Sequence, residues 1–165
     1  MPLNPYWPNI SILLFKDKKM SQTPFIEMSQ SDGIKQMMSK SGYSDRAIHY
    51  YIERPHMGTL TDADQISEMT GTCGDTMAIY LKVDGDKIVD AKYQIMGCAA
   101  AIAAAMAVVD LIKGKSIKEA KKVIDGDIFR KLEEIPVKKH HCIQLAVKTF
   151  HKGLDDYRNN HQPSK

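Results

Sequence analysis

Apolar and polar positions fall into distinct periods along this chain, and the changes of period mark its elements. Residues 1 to about 42 hold Pro2, Pro5, Pro8 and Pro24 among many Met and Ser residues and keep no sustained period of either kind. They read as an N-terminal extension, partly disordered or making an edge or partner contact through "NISILLF". From Tyr43 the pattern tightens. Ser44 can cap a short helix, "SDRAIHYYIE", which Pro55 stops because the residue before a proline is pushed out of the helical region; Gly58 makes the turn that follows.

In "TMAIYLKVDGDKIVDAKYQI", Met77, Ile79, Leu81 and Val83 alternate with other residues, and Val89, Ala91, Tyr93 and Ile95 do the same. Two strands joined at Asp84-Gly85-Asp86 are predicted. Opposed residues share a face, so the apolar sets must coincide. Pairing Val83 with Lys87 sets Leu81 against Val89, Ile79 against Ala91 and Met77 against Tyr93, and extends to Cys73 opposite Gly97. Cys73 and Cys98 are then expected to meet at one end of the hairpin.

"CAAAIAAAMAVVDLIKG" predicts a helix that is apolar on nearly every face and ends at Gly114. Its uncharged run, from Ile95 to Val109, is short of the roughly 18 to 20 residues a membrane span requires, so a buried helix against the sheet is expected. Ser116 and Glu119 form a capping box for "SIKEAKKVI", and "DIFRKLEEI" adds another helical turn or two. After Pro136, Ile143, Ala146, Phe150, Leu154 and Tyr157 recur at spacings of three and four, the signature of a last helix with one packed face. The order predicts an α+β domain over residues 43–160, with a small antiparallel sheet of about three strands covered mainly on one side, and a tail at 161–165.

Composition narrows the function classes. A chain of 165 residues suits one domain, and 43% hydrophobic with 26% charged residues is ordinary for a soluble globular protein. A net charge of +3 is too small to imply a nucleic-acid surface. The three cysteines are an odd count with no CxxC pair, and "ISILLF" lacks the flanks of a signal peptide, so a reducing cytoplasm is the expected compartment.

Each thiol has a plain reading as a small buried hydrophobe. Context changes it. Cys73, in "GTCGDTM", lies between Gly71 and Gly74 as in a loop that wraps a ligand closely, and Asp75 follows two residues on. Cys98 occupies a strand-to-helix junction, where free N–H groups and the helix dipole favour thiolate. Cys142 follows Lys139, His140 and His141, whose charge and imidazoles are placed to lower a thiol pKa. A Cys–His hydrolase dyad is the weaker alternative, because its base normally arrives from a distant segment. Three thiols at segment starts, one imidazole and one carboxylate make a ligand set for a soft metal or an iron–sulfur cluster, with a closed structural zinc site as the competing reading.

These residues resemble the NifU/IscU/SufU-type iron–sulfur cluster assembly scaffolds. The similarity runs from about Tyr43 to Tyr157 through "CGD" at Cys73, "GCAAAIAAA" from Gly97 and "HCIQLA" from His141, with 24 and 43 residues between successive cysteines. The resemblance implies an IscU/SufE-like α+β fold. It implies that Cys73, Asp75, Cys98, His141 and Cys142 bind the metal or cluster, with Lys139 in support and His140 a bystander. Cys142, and also Cys73, are the implied persulfide acceptors. A [2Fe–2S] or later a [4Fe–4S] cluster is the implied cargo, and Zn2+ the occupant of the cluster-free form.

The implied partners are a cysteine desulfurase, an iron and electron donor, and apoproteins that receive the cluster, on a monomer or weak dimer with no nucleic acid and no membrane. The chain is then a carrier rather than an enzyme. A SufU-like zinc-dependent sulfurtransferase and a zinc-stabilised interaction domain are the alternatives; the 43-residue spacing lacks the insertion that the SufU branch tends to carry.

Three departures from the family stand out. Aligned on its proline, the segment HYxNPRNVG is here "YYIERPHMG", with Tyr51 for the histidine and one residue fewer before glycine. The serines after the second cysteine are alanines. LPPVK survives only as Pro136-Val137-Lys138 with an extra residue before the His–Cys pair, which weakens the case for an Hsp70-type chaperone. No ferredoxin-like or CxxC-bearing domain is recognised after His161, so a standalone scaffold is expected.

Overall fold

The computed structural model describes residues 23–161, with side chains from Gln30 onward. "NISILLF" and the tail beyond His161 lie outside the described residues. The chain divides into two units, Met1–Gln36 and Met37–Lys165. Helix α1 (Thr23–Lys40) takes up all of the described part of the first unit, where the sequence predicts no regular element. Its apolar residues do not line up on one face, so periodicity could not reveal it. Its final residues belong to the second unit, where Met38 is buried.

Within the second unit, α2 (Asp45–Glu53) forms as the sequence predicts. The Ser44 hydroxyl accepts from the Ala47 N–H, and the helix ends at Arg54, whose left-handed φ of 47° comes just before Pro55. Ser44 also donates to the Leu132 carbonyl, so one hydroxyl caps α2 and ties it to a distant helix end.

Strands β1 (Gln65–Thr70), β2 (Thr76–Asp84) and β3 (Lys87–Met96) form an antiparallel sheet in the order β1-β2-β3. The sequence pattern did not locate β1, for a visible reason. Ser67 is its buried residue, donating to Asp156 Oδ2 at 2.6 Å, while Ile66 points outward at 53% exposure. The usual apolar-in, polar-out signal is inverted.

The hairpin register also differs from expectation. A two-residue turn, Gly85-Asp86, joins the strands, with Gly85 at φ 61°. Val83 pairs with Ile88, a bulge follows, and beyond it Leu81 faces Ala91, Ile79 faces Tyr93 and Met77 faces Ile95. Val89 falls at the bulge and is exposed. The bulge is what allows Ile88 on one side, and Ala91 and Tyr93 on the other, to share the buried face. The corrected ladder ends at Thr76 opposite Met96, so its extension places Asp75, not Cys73, opposite Gly97.

Helix α3 (Ala99–Ile112) is buried at every residue from Ala100 to Val109, and Gly114, at φ 81°, follows its end. Alanine on all sides lets neighbouring backbones approach closely. The capping box of Ser116 and Glu119 opens α4 (Ile117–Ala120) as predicted, and α5 (Asp125–Leu132) begins slightly earlier than expected. A 3-10 turn (Val137–Lys139) leads into α6 (His140–Asn160), whose Ile143, Ala146, Phe150 and Leu154 are buried.

The apolar face of the sheet, α3 and α6 share one core. A Cβ at Gly153 would come 3.0 Å from Ile79 Cγ2, so the glycine lets α6 lie directly on the sheet. Tyr93, fully buried in β3, donates its hydroxyl to the Ala146 carbonyl of α6 at 2.7 Å. Its backbone also pairs with His56 and Gly58, which closes the free edge of β3. The result is the expected α+β architecture. No helix among the described residues is long and apolar enough to cross a membrane.

Candidate metal centre

Three loops and helix starts converge at one end of the sheet. Asp75 ends the tight turn before β2, where the Gly71 N–H donates to the Asp75 carbonyl and Gly74 adopts φ 86°. Cys98 is the N-cap of α3, extended in backbone and with no side-chain cap bond, which leaves its sulfur beside the helix's free N–H groups. Cys142 lies in the first turn of α6 and is fully buried.

These three elements bring together Asp75, Cys98 and Cys142, whose ligand atoms all lie within 4.8 Å of one another. The two sulfurs are 3.5 Å apart, and Cys142 Sγ is 3.8 Å from Asp75 Oδ2. His141 borders this trio on one side, its Nε2 3.5 Å from Cys142 Sγ. Two thiols, a carboxylate and an imidazole are donors suited to zinc or to an iron–sulfur cluster.

Cys73 stands apart from that cluster. It is exposed on the loop, next to Gly71, while Cys98 is half-buried and Cys142 buried. The expected meeting of Cys73 with Cys98 at the hairpin end is therefore corrected: the bulge moves the ladder, and Asp75 takes the place opposite Gly97. Lys139 is half-buried and its side chain makes no ion pair or hydrogen bond among the described residues. His140 turns from the thiols, its ring edge-on to Phe129 of α5 at 4.5 Å between centroids.

Electrostatics divides the two clustered thiols. The hydrogen bond from Cys142 holds Cys98 down to about 6, helped by the Ala101 N–H, against burial and the Asp75 charge. Cys142 is pushed up by that same hydrogen bond, by burial, and by the charges of Cys98, Asp75 and Cys73. The expectation that Lys139, His140 and His141 would lower the Cys142 pKa is overturned. Although His141 reaches the sulfur, the groups that shift it, Cys98, Asp75 and Cys73, come from distant segments.

One residue near the centre escaped the sequence reading. Burial raises the Tyr43 phenol, and the charges of Cys98 and Cys142 raise it further, so Tyr43 lies within electrostatic reach of both thiols. Its neighbour Ser44 announces a helix cap; nothing in the local pattern marks Tyr43 itself.

The sequence profile described as the NifU-like N terminal domain matches residues 42–163, which span every element of this centre. The chain belongs to that family. Family relatives carry consistent names. The chain is 36% identical over 116 residues to the "Iron-sulfur cluster assembly scaffold protein IscU 1" of Archaeoglobus fulgidus, covering 70% of this chain and 76% of that one. It is 34% identical over 125 residues to the "Iron-sulfur cluster assembly scaffold protein IscU" of Escherichia coli K12, covering 73% and 97%. Among solved structures, a candidate SUF-system iron–sulfur cluster assembly scaffold from Fervidobacterium islandicum AW-1 superposes with a TM-score of 0.58 at 26% identity, covering 68% of this chain and 96% of that one. The N-terminal part of a NifU-like protein from Brucella abortus, 17% identical with a TM-score of 0.57 over 70% of this chain and 94% of that one, shares the fold.

Proposed function

We propose that this NifU-like chain is a scaffold on which an iron–sulfur cluster is assembled and from which it passes to acceptor apoproteins. The observation that carries the reading is the convergence of Asp75, Cys98 and Cys142 within 4.8 Å, in a chain whose relatives are named as such scaffolds. The cluster is cargo. Cys73, Asp75, Cys98, His141 and Cys142 are the proposed ligands, with Cys142 and Cys73 the proposed sulfur-accepting thiols. A cysteine desulfurase supplies the persulfide, an iron and electron donor completes the inputs, and Zn2+ is the proposed occupant without cargo.

The chemistry follows from the donors. Thiolates hold iron through soft ligation, whereas the Asp75 carboxylate is a harder and more exchangeable ligand on the same cluster. A mixed set of this kind suits cargo that has to leave. The test is anaerobic reconstitution with iron and sulfide, followed by Mössbauer spectroscopy to identify the cluster as [2Fe–2S] or [4Fe–4S]. Sulfur-to-iron charge-transfer bands are expected in the wild type and their loss in Cys98→Ser and Cys142→Ser; a colourless wild type would sink the proposal.

The likeness to a SUF-system protein keeps a second reading, a zinc-dependent sulfurtransferase that takes persulfide from a desulfurase. Metal analysis of native protein discriminates the two. Tightly held stoichiometric zinc, with no cluster transfer to an acceptor, would favour the sulfurtransferase.

A further inference from the structure

Gly97 joins β3 to the cap of α3, and the reason for a glycine there is space. Its φ is outside the left-handed region, so the backbone conformation makes no demand for glycine. A Cβ at this position would lie 2.8 Å from Asp75 Cγ, 3.0 Å from Asp75 Cβ and 3.1 Å from Asp75 Oδ2. All three nearest atoms belong to one side chain. That side chain is the carboxylate whose Oδ2 is 3.5 Å from the Cys98 N–H and 3.8 Å from Cys142 Sγ.

We infer that Gly97 is a positioning residue for the metal centre: the hydrogen in place of a side chain forms the wall against which the Asp75 carboxylate lies, and so aims it at the two thiols. The inference rests on the proposed function in taking Asp75 as a ligand. It deepens that reading by assigning the ligand's placement to a residue that contributes no donor atom.

The consequence is specific because one side chain blocks the space, with its carboxylate atoms at 2.8 and 3.1 Å and its Cβ at 3.0 Å. An alanine at 97 rotates the Asp75 carboxylate away from Cys98 and Cys142, while the Asp75 Cβ at 3.0 Å gives by a small backbone shift. The overlap depends on Asp75 being there. With Asp75 shortened to alanine, the carboxylate atoms at 2.8 and 3.1 Å are gone, only the Cβ contact at 3.0 Å remains for the backbone to absorb, and no carboxylate is left to displace.

The test uses Co2+ alone, titrated into the reduced, metal-free full chain, with thiolate-to-cobalt charge-transfer absorption as the readout. Wild type, G97A, D75A and the double variant are compared. G97A and D75A are expected to weaken Co2+ binding by a similar factor, at least about tenfold, as losses of ligand orientation do. The double variant is expected to be no weaker than D75A. Wild-type affinity in G97A, or the same loss on adding G97A to D75A as to the wild type, would overturn the inference.

Thermal melting of the metal-free proteins separates a displaced ligand from a damaged fold, and an unchanged midpoint is expected for G97A. Should G97A lose its fold, recovery of the fold in the double variant would establish the same coupling, and failure to recover would overturn it. A wild type that forms no cluster from iron and sulfide would count against the scaffold reading alone, because the Co2+ titration reads the carboxylate without cluster chemistry.

Discussion

His140 and His141 are adjacent in the chain and differ in what they touch. His141 has Nε2 3.5 Å from Cys142 Sγ, while the His140 ring packs edge-on against Phe129. H141A is therefore expected to weaken Zn2+ binding by at least about tenfold in a competition titration, since it removes a nitrogen donor 3.5 Å from Cys142 Sγ. H140A is expected to leave Zn2+ affinity unchanged and to lower unfolding stability by about 0.5–1.5 kcal/mol, the worth of an aromatic pair. Equal losses of affinity would refute the assignment. At this scale the sequence was legible where a residue's role depends on its own element: Cys98 as a helix cap, Asp75 two positions beyond Cys73, His141 beside Cys142. It was misleading for the Cys142 pKa and silent on Tyr43, because both depend on groups brought from distant segments.

Among the elements, those with an inward apolar face could be read and those without one could not. The last helix, the Ser44 cap and the capping box at Ser116 followed from local pattern, whereas β1 turns Ser67 inward and Ile66 outward, and α1 gathers no apolar stripe. The bulge at Val89 was equally hidden, since one extra residue leaves the alternation on either side of it intact.

One carboxylate joins several of these elements. Asp110 of α3 accepts from Tyr50 of α2, contacts His56 Nε2 at 2.6 Å, and lies 3.7 Å from Lys131 of α5. Burial works against its ionisation, but the hydrogen bonds from Tyr50 and His56 and the charges of His56 and Lys131 outweigh it, leaving the Asp110 carboxyl below its ordinary value of 3.8. A depressed folded pKa contributes stability that is present above the unfolded value and is lost as pH falls through the folded one. D110N is thus expected to lower stability by about 0.5–1.5 kcal/mol at neutral pH, as for a solvent-screened charge in a hydrogen-bonded network. Urea midpoints measured from neutral pH downward should also fall less steeply below 3.8 in D110N than in the wild type. Parallel acid limbs would refute the role given to Asp110.

For the molecule as a whole, the question is whether the metal centre holds the fold or the fold holds the centre. A zinc-stabilised interaction domain would need its metal to fold, as small metallo-domains do when their core is insufficient. Here the core continues far beyond the centre, through Ile79, Leu81 and Tyr93 of the sheet, Met106 and Val109 of α3, and Phe150 and Leu154 of α6, all nearly or fully buried. Asp75, Cys98 and Cys142 sit at one end of it, donated by a loop and two helix starts that apolar packing already anchors. Exhaustive chelation is therefore expected to leave the far-ultraviolet helix signal in place, and metal should act on stability only by mass action. Zn2+ free at 100 times its dissociation constant would add about 2.7 kcal/mol, read as a rise in the melting midpoint that is reversed by chelator. Collapse of the helix signal on chelation would instead make the metal part of the folding energy and favour the interaction-domain reading. Retention of the signal is the behaviour a scaffold needs, because each release of cargo returns the chain to its empty state.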